Sequence, residues 1–125
     1  MIIAVDGPAA SGKGTLAQGL ARHYGLPHLD TGLLYRAVGV AVEAFEDTSE
    51  FENKAVEAAQ KLDAGHLTDL EILTSARAGT LASKVAVIAE VRKALFDFQR
   101  NFATQPGGAV LDGRDIGTKS APMPM

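Results

Sequence analysis

The residues best able to do chemistry together stand near the start of the chain. They are Gly7, Pro8, Ala9, Ala10, Ser11, Gly12, Lys13, Gly14 and Thr15, set between an apolar run, Ile2 to Val5, and an amphipathic segment that opens near Lys13. This is GxxxxGK followed by Gly and Thr, the phosphate-binding loop pattern in a strand, loop, helix setting. Glycines at 7, 12 and 14 let the main chain take conformations that a Cβ opposes, and bring backbone N–H groups close around an anion. The helix that follows turns its positive end and unpaired N–H groups toward the same point. Lys13 adds a full charge for the outer phosphates, and Thr15 offers a hydroxyl where Mg2+ would sit. A glycine-rich turn capping an ordinary helix is the plain alternative, but it does not explain the strand, the Lys and the Thr together. The chain is therefore expected to bind a nucleoside triphosphate, or to descend from one that did. Far along, Ala109-Val110-Leu111 forms another apolar strand and delivers Asp112 at its end. An acid there is the partner that phosphate-loop enzymes use to hold Mg2+ or its water, so Thr15 and Asp112 are the candidate metal residues.

These groups need a scaffold, and the patterning supplies one. Ile2 to Val5 is apolar on both faces, as suits a parallel strand covered by helices on each side. The helix after the loop carries Leu16, Leu20 and Tyr24 at spacings of four, with Ala17 and Ala21 beside them, and is expected to bury that stripe. Gly25 is placed as its stop, with Pro27 just beyond; Arg22 and His23 in the last turn read as solvated helix-end residues. Leu26 to Leu29 reads as a second strand ending at Asp30-Thr31-Gly32, where Asp30 or Thr31 caps the next helix. That helix has Leu34, Tyr35, Val38, Val42 and Phe45 on its inner side. Arg36 lies one turn in, and composition alone gives it no special role. Glu50 to Leu62 and Asp69 to Thr80 suggest helices joined by turns at Asp63 to His66 and near Gly79, with His66 a turn residue. Val85 to Ile88 precedes a helix with Val91, Leu95, Phe98 and Phe102 inside, and Gln105-Pro106-Gly107-Gly108 breaks it.

Composition narrows the partners. With 46% hydrophobic and 22% charged residues, the 125-residue chain describes one soluble domain of ordinary size. No run approaches the roughly 18 apolar residues of a membrane span. A net charge of −3 argues against a polyanion-binding surface, so long nucleic acid is not an expected partner. There is no cysteine for disulfides or zinc. Without a basic, apolar leader, a cytoplasmic location is the expectation.

The loop Gly7–Thr15, then Leu29-Asp30-Thr31-Gly32 with Tyr35-Arg36, and later Leu111-Asp112-Gly113-Arg114-Asp115-Ile116-Gly117 together resemble the bacterial cytidylate kinases. Ala82-Ser83, Val91-Arg92 and Phe98-Gln99-Arg100 are similar to the same family. The likeness runs from Met1 to about Thr118 in the family's order and spacing. It implies an α/β P-loop NTPase fold, a parallel sheet flanked by helices, here with three strands of a five-stranded parent. It also implies Mg2+-dependent transfer of the ATP γ-phosphoryl group to CMP or dCMP by direct in-line attack. Arg36 and Arg114 match the family's arginines for the acceptor phosphate, a task that suits a guanidinium fork. Ser83 and Arg92 fall where the family meets the cytosine carbonyl and ring nitrogen, and Asp115 where it accepts from the exocyclic amine. Thr31 stands where the family often has Ser or Thr near the acceptor nucleotide, and Tyr35 either packs there or fills the core. Arg114 and Asp115 also have a plain reading as a turn ion pair. Lys13, Arg36, Asp112 and Arg114 are the residues expected to carry the reaction, and a monomer is expected.

The resemblance also divides the chain. Residues 1–118 correspond to the N-terminal part of a nucleoside monophosphate kinase core, with the acceptor-binding region at about 31–105. The added small sheet of longer members is not expected, which makes this a short-insert version, and Ala89 stands where members commonly have proline. Lys119 to Met125 departs from the family, and reading the usual codons one base out of register yields Ser-Ala-Pro-Met-Pro-Met, so a single-base loss is the expected cause. The family's later strands and its arginine-bearing lid are then missing. Arginines of that kind contribute roughly 10³–10⁵ in rate, so an inactive fragment is one expected outcome. Two further readings stay open: another P-loop small-molecule kinase acting on UMP, AMP or shikimate, and a truncated, non-catalytic nucleotide binder.

Overall fold

The computed structural model of the chain describes residues 2–6, 13–67 and 69–113. Its backbone groups into two compact units, residues 1–31 with 96–125 and residues 32–95.

The first unit is built on a parallel sheet of β1 (Ile2–Asp6), β2 (His28–Asp30) and β3 (Ala109–Gly113) in the order β1-β3-β2. Among the described residues β1 pairs on one side alone, with Ile3 opposite Val110 and Val5 opposite Asp112. On its other flank β3 sets Leu29 opposite Leu111 and Asp30 opposite Asp112. The apolar alternation explains why β3 is central. Val110 and Leu111 point to opposite faces of the sheet, and both are fully buried.

Helix α1 (Lys13–Tyr24) lies on this sheet, and its buried stripe differs from the one expected. Ala17 and Ala21 are the buried positions, packed with Val5 and Val110, while Leu20 and Leu26 close the edges. Leu16 and Tyr24 are exposed, at 57% and 48%. Small side chains at the contact let the helix backbone approach the strands closely, and Leu16 and Tyr24 fall off that narrow line. The stop at Gly25 holds: its φ of +67° is the left-handed value that glycine takes without strain. Leu26 N–H then donates to Ala21 O at 2.8 Å, the six-to-one bond of a Schellman cap. That cap consumes Leu26, so β2 starts two residues later than the apolar run, although Pro27 O still accepts from Val110 N–H at 2.8 Å. Ahead of β3, Gly107 and Gly108 have φ of +87° and +92°, as required of the expected break.

The second unit is helical. Helix α2 (Gly32–Ala41) is its axis, with α3 (Phe51–Gln60), the short α4 (Leu70–Leu73) and α5 (Ala76–Ala86) packed around it. Leu34, Val38 and Val42 are buried as expected, with Leu81, Val85, Ala55 and Ala59 around them. Phe45 lies beyond the end of α2 in a 3-10 turn (Glu43–Phe45), half-buried, with the Lys54 ammonium 5.2 Å from its ring centre. Gly39 sets the spacing of α2 and α5. A Cβ there would stand 2.7 Å from Leu81 Cβ and 2.8 Å from the Leu81 carbonyl carbon. Gly79, expected at a turn, lies inside α5; the break comes earlier, where Asp69 caps α4 and Ser75 caps α5 through Ala78 N–H.

Helix α6 (Ala89–Ala103) begins in the second unit and its C-terminal half belongs to the first. It starts at Ala89 itself, so a first-turn position that suits proline is filled by alanine and the stop before it survives. Val91 and Leu95 are buried, but further on Gln99 and Ala103 are the covered residues while Phe98 and Phe102 are half-buried. His66 sits in a 3-10 turn (Ala64–Leu67), its Nδ1 accepting from Asp63 N–H at 2.9 Å.

Candidate nucleotide site

In the first unit the chemistry-bearing residues gather where the parallel strands end. β1 closes at Asp6, β2 at Asp30, and Asp112 is the last residue but one of β3. Ligands of open parallel sheets bind outside this carboxyl edge. Asp112 stands in register with Val5 on one neighbour and Asp30 on the other, so two acids share one level of the sheet. Asp30 entered the sequence reading only as a cap, because nothing in a linear sequence reveals strand register. Residues 7–12 of the expected phosphate cradle lie outside the described residues, as do Arg114 and Asp115. Lys13 is the first residue of α1, and Thr15 in the same turn is exposed. Thr31, immediately before α2, is buried at 6%.

The second unit holds the expected acceptor residues. Arg36 on α2 is part-buried, and its Nη1 donates to two main-chain carbonyls, Leu73 at 2.9 Å and Ser75 at 3.1 Å. Both carbonyls belong to the junction of α4 and α5. Gly79 stands beside the same guanidinium: a Cβ on it would lie 3.2 Å from Arg36 Nη2. One turn on, the Ser83 hydroxyl is exposed and donates to Gly79 O at 3.3 Å. Arg92, exposed near the start of α6, donates through Nη1 to Ala86 O at 2.9 Å. Burial pushes the Tyr35 hydroxyl above its ordinary pKa, and the Arg92 charge opposes that. Arg36, Ser83, Arg92 and Tyr35 are thus linked through α2, α5 and the first turn of α6. The carbonyl anchors of Arg36 were invisible in the sequence because main-chain acceptors carry no residue signature. Gly79 was open to detection as a glycine within a helical stretch.

An ion-pair network braces the same unit. Arg77 Nε meets Glu43 at 2.8 Å, and Glu46 accepts from both Arg77 Nη2 and Lys84. It joins the turn after α2 to α5, the two helices that carry Arg36 and Ser83. The Lys84 and Arg77 hydrogen bonds hold the Glu46 carboxyl below its ordinary pKa.

Comparison with known proteins decides the family. The family model for cytidylate kinase matches residues 3–123. The chain belongs to the cytidylate kinase family. Among curated relatives, a cytidylate kinase of Xanthobacter autotrophicus is 62% identical over 122 residues, covering 98% of this chain and 58% of the relative. Those of Methylobacterium sp. and Rhodopseudomonas palustris are 58% and 56% identical, over 98% of the chain and 58% and 57% of the relatives. The chain therefore spans somewhat more than half the length of the cytidylate kinases it matches. The sheet of the first unit, three parallel strands with α1 laid across them, is that of a P-loop α/β fold. Among the described residues no helix is long and apolar enough to cross a membrane, and no three metal-ligating side chains cluster.

Proposed function

We propose that the chain carries donor and acceptor elements of a cytidylate kinase that transfers the ATP γ-phosphoryl group to CMP or dCMP in the cytoplasm. The observation that supports it most is the state of Arg36. Its Nη1 is spent on two carbonyls, while among the described residues its Nε and Nη2 make no hydrogen bond. A guanidinium anchored at one corner, with its other donors available, is suited to grip a phosphate in a fixed orientation.

The remaining roles follow from chemistry. Main-chain N–H groups of 7–14 and the Lys13 ammonium hold the donor phosphates. Arg36 and Arg114 hold the acceptor phosphate, so that its oxygen attacks the γ-phosphorus in line, without a covalent enzyme intermediate. Ser83 and Arg92 donate to the cytosine carbonyl and ring nitrogen, and Asp115 accepts from the amine; Thr31 lines the acceptor nucleotide. Thr15 in the first turn of α1 and Asp112 near the end of β3 would hold Mg2+, an ion that takes few protein ligands and keeps waters and phosphate oxygens. When bound, that ion neutralises charge on the transferring phosphoryl group.

A coupled assay of the 125-residue chain with ATP and CMP, dCMP, UMP, AMP or shikimate tests this. Turnover with CMP and dCMP above the others is expected; equal rates with UMP or AMP would contradict the roles of Ser83, Arg92 and Asp115. A second reading is favoured by the coverage of only 58% of the relatives: nucleotide binding without turnover. Saturable CMP binding together with no product would select it.

A further inference from the structure

We propose that Gly79 is a positioning residue for Arg36, holding the guanidinium in the orientation that presents its outer nitrogens to the acceptor phosphate. The proposal rests on the reading of Arg36 as a ligand of that phosphate. Helix interiors disfavour glycine relative to alanine, yet Gly79 is the fourth residue of α5 and its backbone there is helical. What distinguishes the position is its neighbour. The three atoms nearest to an added Cβ are all from one guanidinium: Arg36 Nη2 at 3.2 Å, Cζ at 3.6 Å and Nη1 at 3.7 Å. The Arg36 head therefore lies over the bare Cα of Gly79, with Nη1 reaching Leu73 O and Ser75 O one turn back. A methyl group at 79 meets Nη2 closer than carbon and nitrogen ordinarily pack. The guanidinium must then tilt by a few tenths of an ångström about its anchored Nη1, which swings Nη2 and Nε away from their places. Ser83 is tied to the same spot through Gly79 O, but the main-chain carbonyl is kept in any variant, so the effect is carried by Arg36 alone.

The test uses the full 125-residue chain with the variants Gly79→Ala, Arg36→Ala and the two combined, titrated calorimetrically with CMP and with ATP and melted thermally. Gly79→Ala is expected to fold and to raise the Kd for CMP about tenfold, with the Kd for ATP unchanged within about twofold. The double variant is expected to bind CMP no more weakly than Arg36→Ala alone, because the two changes act on one group. A purely structural lesion would weaken both nucleotides together, and that result overturns the proposal. Wild-type CMP affinity in Gly79→Ala, with the loss confined to Arg36→Ala, overturns it too and leaves the acceptor reading standing. CMP binding indifferent to Arg36→Ala sinks that reading and the proposal with it. Should Gly79→Ala fail to fold, recovered folding in the double variant supports the contact, and an unfolded double variant refutes it.

Discussion

On the acceptor reading, Arg36 does two things with one side chain, and the two need different parts of it. Nη1 ties the α4–α5 junction, while Nε and Nη2 are the donors proposed for an anion. Lysine supplies the charge without the fork, so Arg36→Lys is expected to lose both functions in part. Hydrogen bonds to a charged group are worth about 1.5–3 kcal/mol, which corresponds to a rise of about 10- to 100-fold in the CMP Kd. Calorimetry of the variant checks this, and an unchanged Kd would remove Arg36 from the site. At this scale the sequence was informative where a residue's own chemistry decides. Lys13 and Thr15 were singled out by loop spacing, and Arg36 by the family resemblance; their roles belong to the proposal. The sequence misled where apolarity stood in for packing: Leu16 and Tyr24 are able to be buried, but Ala17 and Ala21 are the residues small enough to bring α1 onto the sheet.

At the scale of elements, α2 and α5, which carry Arg36 and Ser83, are held together by close backbone approach and a surface brace. Gly39→Ala sets a methyl against the Leu81 main chain, which has no flexible end to move aside. Overpacking of this kind costs about 1–3 kcal/mol, and a fall in thermal stability of that size is expected; an unaltered melting temperature would show that the α2–α5 spacing is not set by Gly39. The brace has a pH signature. Glu46 is held below its ordinary value by Lys84 and Arg77, so its contribution is present above the unfolded pKa of about 4.3 and is lost as pH falls through the lower folded value. The difference in melting temperature between wild type and Glu46→Gln is expected to be constant above about pH 5 and to shrink below about pH 4. A difference that persists unchanged into stronger acid would exclude the ionised Glu46 carboxylate as its source. Helices were legible from their periodicity and caps, as at Gly25 and Gln105 to Gly108. The breaks at Asp69 and Ser75 were hidden because Gly79 offered a more conspicuous turn signal than two capping side chains.

At the scale of the whole molecule, the expected site residues are shared between the chain's two units. The first carries Lys13 and Thr15 on α1 and Asp112 on β3; the second carries Arg36, Ser83 and Arg92 on helices. Three strands and their parallel sense were readable from apolar runs separated by helices. Their order was not, because pairing Asp112 with both Val5 and Asp30 depends on contacts far apart in sequence. The central claim is that the chain recognises a cytosine nucleotide, with Arg36 gripping its phosphate, while the glycine loop holds a triphosphate. The most direct measurement is a calorimetric titration of the 125-residue chain with CMP, UMP and AMP. Saturable CMP binding at least about tenfold tighter than UMP or AMP, and lost in Arg36→Ala, is the expected result. Binding of the three with equal affinity, or with no dependence on Arg36, would contradict it.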